Sequence, residues 1–251
     1  MKVVFVGPSL SGISLSGISL SGRRAGTESF PDLGSELPSG IEFRPPAFQG
    51  DIMRAVQDGA MVIGLVDGQF EYVAPVWHKE LLFALDLGVA VFGASSMGAL
   101  RAVECQPFGM RGLGRIYDDY ASGRRFDDAD VALLHAPAEL GYAPVTVPLV
   151  NVDATLDTAG QKGLIDEALL IALKQSARRI YYKDRTWKGL AQVSRIAWPP
   201  LQEIVDRCWT DQKQADALAL IEAVARGVAD DRTSKAAWRF NATPLWRELY
   251  G

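Results

Sequence analysis

The chain has 251 residues, a formal net charge of -4, and a composition that is 48% hydrophobic and 22% charged. These values sit close to the averages of soluble globular proteins and exclude wholesale disorder and fibrous architectures. The length allows one large core without disulfide staples. With a pI near 5.3, the chain has no global basic field to hold nucleic acid or an anionic membrane nonspecifically.

Cys105 and Cys208 lie far apart and outside any CxxC spacing, and His78 and His135 have no Cys/His cluster around them. Neither a disulfide framework nor a protein-built metal site is therefore indicated, and a reduced cytoplasm is the expected compartment. The apolar run Lys2 to Val6 stops at Gly7-Pro8. It is no signal h-region, and no apolar stretch approaches the roughly 18 residues of a membrane span.

In chain order, Lys2 to Val6 reads as a buried strand. A tandem pentapeptide follows: Ser9-Leu-Ser-Gly-Ile13, Ser14-Leu-Ser-Gly-Ile18, Ser19-Leu-Ser-Gly22. A period of five matches no regular element, so residues 9–22 read as a mobile loop insertion. Ile41 to Arg44 forms a short strand ended by Pro45-Pro46, and a helix runs from Gly50 or Asp51 to about Asp58. Met61 to Val66 is another strand, closed by Asp67-Gly68. Ala74-Pro75 opens a helix with Trp77, Leu81, Leu82 and Leu85 on its apolar side and Gly88 at its end. Val89 to Phe92 is the fourth strand, and Gly93 to Gly98 turns directly into a helix from Ala99 to Cys105.

This alternation predicts an α/β fold with a parallel, Rossmann-like sheet. Residues 106–159 read only as mixed loops and short helices. Helices then follow at Asp166 to Tyr182, Leu201 to Cys208 and Gln212 to Val228, with breaks at Pro199-Pro200 and Gly227. Trp187, Trp198, Trp209, Trp238 and Trp246 read as core of this tail. The expected division is an α/β core over 1–159 and a helical region over 160–251 packed on it.

Ligands of parallel sheets bind at the carboxyl ends of the strands, so the loops at Gly7, Asp67 and Gly93 are the places for a site. Ala94-x-Ser96-x-Gly98 is a small-residue variant of a nucleophile elbow, with the Met97 and Gly98 N-H groups available to a developing oxyanion. Ser95 or Ser96 could instead be a helix N-cap. Two bases are open for Ser96. Lys79 would have to be neutral, or else be a solvated charge pairing Glu80 or Asp86. His78 could act with Asp67 as its orienting carboxylate. No GxGxxG or GxxxxGK[ST] run exists, so no nucleotide or other cofactor is expected. Arg101 and Glu104, one turn apart, read as a local ion pair. The acidic run Asp127-Asp128-Ala-Asp130 lacks the glycine and terminal glutamate of a calcium loop and reads as a helix start.

Taken together, Val4-Phe-Val-Gly-Pro-Ser9, Gly64-Leu-Val-Asp-Gly-Gln-Phe70, Val76-Trp-His-Lys-Glu80, Gly93-Ala-Ser-Ser-Met-Gly-Ala-Leu-Arg-Ala102 and Asp128-Ala-Asp-Val-Ala132 resemble the TfuA-like protein family, over about residues 1–150. The resemblance implies a partner of YcaO enzymes in peptide backbone thioamidation. Such a protein would hydrolyse the C-terminal thiocarboxylate of a ThiS-like sulfur carrier, release sulfide to YcaO, and help capture the precursor peptide. It further implies a Ser-Lys pair, carried onto Ser96 and Lys79, with Ser9 and Lys183 as fallback positions and Ser95, Met97, Gly98, His78, Asp67 and Arg101 lining the site. The rival readings are a scaffold without turnover and an unrelated Ser-His esterase.

Overall fold

The computed structural model describes residues 1–11, 38–69, 71–227 and 238–250. Beyond Ser11, the pentapeptide repeat lies outside the described residues. Five short strands, β1 (Lys2–Phe5), β2 (Glu42–Arg44), β3 (Val62–Leu65), β4 (Ala90–Ala94) and β5 (Arg111–Leu113), pair in parallel in the order β2-β1-β3-β4-β5. This is a doubly wound order whose switch point falls between β1 and β3, where the connections leave in opposite directions and a crevice opens at the carboxyl ends.

The strands are apolar on both faces because both faces are covered. Val3, Phe5, Ile63, Leu65 and Val91 pack with Ile52 and Ala55 of α1 (Asp51–Gln57), Leu81 and Ala84 of α2 (His78–Asp86), and Ala102 and Cys105 of α3 (Met97–Cys105). Val4, Phe43, Val62, Phe92 and Ala94 meet Ala217, Leu220, Ile221 and Val224 of α9 (Gln212–Arg226) on the other face. The alternation expected over residues 1–105 is therefore present, and the second layer comes from the far end of the chain.

Residues 106–159, unassigned by pattern, contain β5, α4 (Gly114–Ala121) and most of α5 (Leu149–Gln161), so position 159/160 falls inside a helix. The helical tail continues as α6 (Glu167–Arg179), α7 (Trp187–Ser194) and α8 (Trp198–Cys208), before α9 and a final α10 (Pro244–Tyr250). Helices α5 to α8 share a core of Leu149, Leu156, Leu173, Leu190 and Leu201. Of the five tail tryptophans, Trp246 is buried, against Trp77 and Phe83 of the α2 region, while Trp209 is 47% exposed. No helix among the described residues is long and apolar enough to cross a membrane.

Two boundaries depart from the sequence pattern. Pro75 does not open α2. Ala74 to Trp77 stay extended because their carbonyls are used elsewhere: Ala74 O accepts from Gln49 N, and Val76 O accepts from Arg101 Nε. Pro199-Pro200 do not break the chain before α8 but occupy its first turn, where the missing N-H groups cost nothing.

Glycine is obligatory where α3 meets the sheet. A Cβ at Gly98 would lie 1.7 Å from Leu65 O, and the Gly98 N-H donates to Val66 O at 3.1 Å. The helix start that follows β4 is thus pressed onto the end of β3 by backbone contact alone. Gly98→Ala should lower stability by about 3 kcal/mol, the upper part of the overpacking range. The denaturant midpoint reads this, and an unchanged midpoint would show that the contact relaxes.

Candidate active site

At the end of β4 the chain turns within two residues. Ser95 takes a positive φ of 67°, unusual for a residue with a Cβ, and Ser96 N donates to Ala94 O at 2.8 Å. Ser96 is then the N-cap residue of α3, but its hydroxyl makes no capping bond. It lies instead 3.1 Å from Nζ of Lys213, which also donates to Val131 O at 2.9 Å. Ser96 and Lys213 are 6% and 3% exposed. The structure thus gives Ser96 a lysine partner, but not the one the neighbouring helix suggested.

Lys213 is placed by a set of polar contacts around the start of α9. Asp211 caps the helix by accepting from Gln214 N, and it also accepts from Asn151 Nδ2 at 3.0 Å. Asn151 Oδ1 in turn accepts from Lys213 N at 3.1 Å, which ties α9 to α5. One turn on, Asp216 accepts from Arg115 N and Ile116 N and so caps α4 from outside. These bonds leave Lys213 little freedom to withdraw from Ser96.

Burial holds the Lys213 amine below the ordinary lysine range, against the opposing pull of the Asp67 and Asp211 carboxylates. Its place in the first turn of α9 acts in the same sense, since the positive end of the helix dipole disfavours an ammonium.

A second polar chain runs alongside. Asp67 accepts from Gly7 N at 2.8 Å, Ser9 N at 3.0 Å and Ser9 Oγ at 2.7 Å, and Ser95 Oγ donates to Ser9 Oγ at 2.9 Å. The loops after β1, β3 and β4 are thereby locked together at the switch point. Asp67 orients Ser9 and not an imidazole.

The other sequence candidates lie elsewhere. Lys79 Nζ donates to Asn241 O at 2.5 Å and sits over the Phe240 ring, while Glu80 turns inward to accept from Gly50 N and Tyr250 OH. His78 Nε2 meets Glu104 Oε2 at 2.7 Å, and Arg101 pairs with the same carboxylate at 2.7 Å, as its spacing suggested. Lys183 is salt-bridged to Glu71 at 2.7 Å, a contact that pushes its amine above the ordinary range and away from service as a base. The Gly98 N-H, expected to be available to an oxyanion, is spent on Val66 O. The Met97 N-H has no acceptor among the described residues. Asp127 caps a short 3-10 turn by accepting from Ala129 N.

Chemically, a serine hydroxyl within hydrogen-bond reach of a lysine that loses its proton easily is an activated nucleophile. Residues 67–186 match the family model described as TfuA-like protein. No curated protein matches the chain significantly. The matched stretch holds Asp67, Ser95 and Ser96, whereas Ser9 and Lys213 lie outside it.

The depressed Lys213 value has a measurable consequence for stability. The folded chain disfavours the ammonium, so between the lowered folded value and the unfolded value of about 10.4 the unfolded chain holds more protons. Stability therefore rises with pH through that window, and the burial cost is fully present below it. Lys213→Met should be more thermostable than the parent chain at pH 6, and the gap should narrow steadily towards pH 10. A gap in Tm that does not change with pH would show that Lys213 keeps an ordinary value.

Proposed function

The chain is a TfuA-like protein across residues 67–186, and on that premise we propose that it is an accessory hydrolase of YcaO-dependent peptide thioamidation. Its substrate is the C-terminal thiocarboxylate of a ThiS-like sulfur carrier, and its product is sulfide for the YcaO enzyme, to which it binds while assisting capture of the precursor peptide. The observation that carries the reading is the buried 3.1 Å contact between Ser96 Oγ and Lys213 Nζ.

In this reading the neutral amine of Lys213 takes the Ser96 proton as Oγ attacks the thiocarboxylate carbon. The oxygen of the tetrahedral intermediate is held by the Met97 N-H at the start of α3. The C-S bond breaks, the Lys213 ammonium protonates the departing sulfur, and hydrosulfide leaves with Ser96 acylated. Water then attacks the ester; its proton passes through Lys213 to Ser96 Oγ, and the carrier is released with an ordinary carboxylate. Sulfide is a good leaving group, so the single base suffices and no histidine is required.

Sulfide release from thiocarboxylated carrier tests this. Ser96→Ala and Lys213→Met should each cost about 10³-fold or more. Lys213→Arg should fail as badly, because a guanidinium cannot accept a proton. Lys79→Met should keep most of the activity, and the parent rate should rise with pH through a value below that of free lysine. A parent chain that binds YcaO but releases no sulfide would favour the scaffold, an active Ser96→Ala chain would remove Ser96 as the nucleophile, and loss of activity in Lys79→Met with retention in Lys213→Met would move the base.

A further inference from the structure

A cavity of about 440 Å³ lies between the segment 124–130 and the C-terminal end of α6, and neither Ser96 nor Lys213 lines it. Arg185, 4% exposed, lines it. Its Nε donates to Ala177 O at 3.3 Å and its Nη2 to Ile180 O at 3.1 Å, closing the last turn of α6, while Nη1 is buried without a partner among the described residues. An unsatisfied nitrogen on a buried guanidinium is costly and calls for an acceptor.

The neighbouring charges say which kind of acceptor. Arg125 is consumed by Asp119, Asp130 and Asp153, Arg178 by Asp153, and Arg124 by Asp119. Arg179 and Arg185 have no carboxylate partner among the described residues. Asp127 and Asp130 also line the wall and repel an anion in proportion to its charge, so a dianion meets twice the repulsion of a monoanion there. The remaining lining is apolar or aromatic and includes Leu149, Ile180, the half-exposed Tyr181, and Phe126, which is 93% exposed. A fully exposed phenylalanine beside an open guanidinium matches a ligand with an apolar body and a charged end.

We propose that this cavity binds a monoanionic carboxylate carried on an aromatic or aliphatic body, with Arg185 Nη1 holding the carboxylate and Phe126 and Tyr181 covering the body. A planar carboxylate is an acceptor suited to the unpartnered Nη1 that Arg185 holds at the cavity wall.

Calorimetric titration of the full chain with N-acetylphenylalanine, its uncharged amide and phenyl phosphate, in phosphate-free buffer, tests the site. The acid should bind at least about tenfold more tightly than the amide, the scale of one hydrogen bond to a charged group, and more tightly than phenyl phosphate. Arg185→Lys should lose about tenfold for the acid. Phe126→Ala and Arg179→Ala, both at exposed positions, should each weaken it several-fold, and they carry the test should Arg185→Lys fail to fold. Ser96→Ala should bind the acid like the parent, so this outcome is separate from that of the hydrolase reading. Absence of saturable binding, equal affinity for acid and amide, tighter binding of phenyl phosphate, or indifference to both exposed substitutions would each overturn the proposal.

Discussion

Removing the Lys213 amine from water is the constraint around which the rest of this molecule is arranged. A lysine this deeply buried is stable only if its charge is lost or paired, and no carboxylate touches it: the nearest groups are the Ser96 hydroxyl and the Val131 carbonyl. The cost is borne by the packing of α9 on the sheet through Ala217, Leu220, Ile221 and Val224. Gly64 in the middle of β3 allows that approach, since a Cβ there would come within 2.6 Å of Leu220. The amine is thus held in place by apolar burial that opposes its own ionisation, and this opposition is what suits it to the proposed role of base.

The serine side obeys a matching rule. Ser95 adopts a left-handed conformation at a non-glycine residue, and its hydroxyl is engaged by Ser9 and, through it, by Asp67. The strain is held by three loops from three strands at the switch point, with the Gly98 contact pressing α3 from behind. The consequence is that Ser96, freed from capping its own helix, presents Oγ to the Lys213 amine. Ser96 and Lys213 lie 117 residues apart in the chain, and the second layer of the sheet brings them together.

That separation explains what the sequence could and could not reveal. β1, β3 and β4 are continuous apolar runs, legible because the parallel sheet buries both their faces, and β2, Glu-Phe-Arg at an edge, is marked by the preceding Ile41 and by the Pro45-Pro46 that ends it. β5 is the tripeptide Arg-Gly-Leu at an edge, with no β-branched residue to mark it. Ser96 was legible from the small residues around it. Lys213 was not, because a lysine near a helix start looks like any solvated charge. Only one local oddity marked it: a basic residue in a first turn, where the dipole disfavours it, directly after the capping Asp211. Lys79 drew attention by standing near Ser96 in sequence order, but its helix starts three residues after Pro75, and its side chain leaves the sheet edge for Asn241.

The two buried cations, Lys213 and Arg185, show how side-chain chemistry sets what a buried site is for. Burial lowers the proton affinity of both. A lysine can answer burial by giving up its proton more readily, and an amine that does so is useful to a hydroxyl beside it. Arginine has no accessible neutral form at physiological pH, so the same burial leaves a charge, eased at a distance by Asp130, Asp153 and Asp127. Helix α6 supplies two carbonyls to Arg185 and stops there, leaving Nη1 open. Exchanging the two residues would ruin both sites: a guanidinium beside Ser96 could take no proton, and an amine in the cavity would discharge and lose its hold on a carboxylate. In the proposed roles one position therefore serves proton transfer and the other recognition, although both follow from the same desolvation.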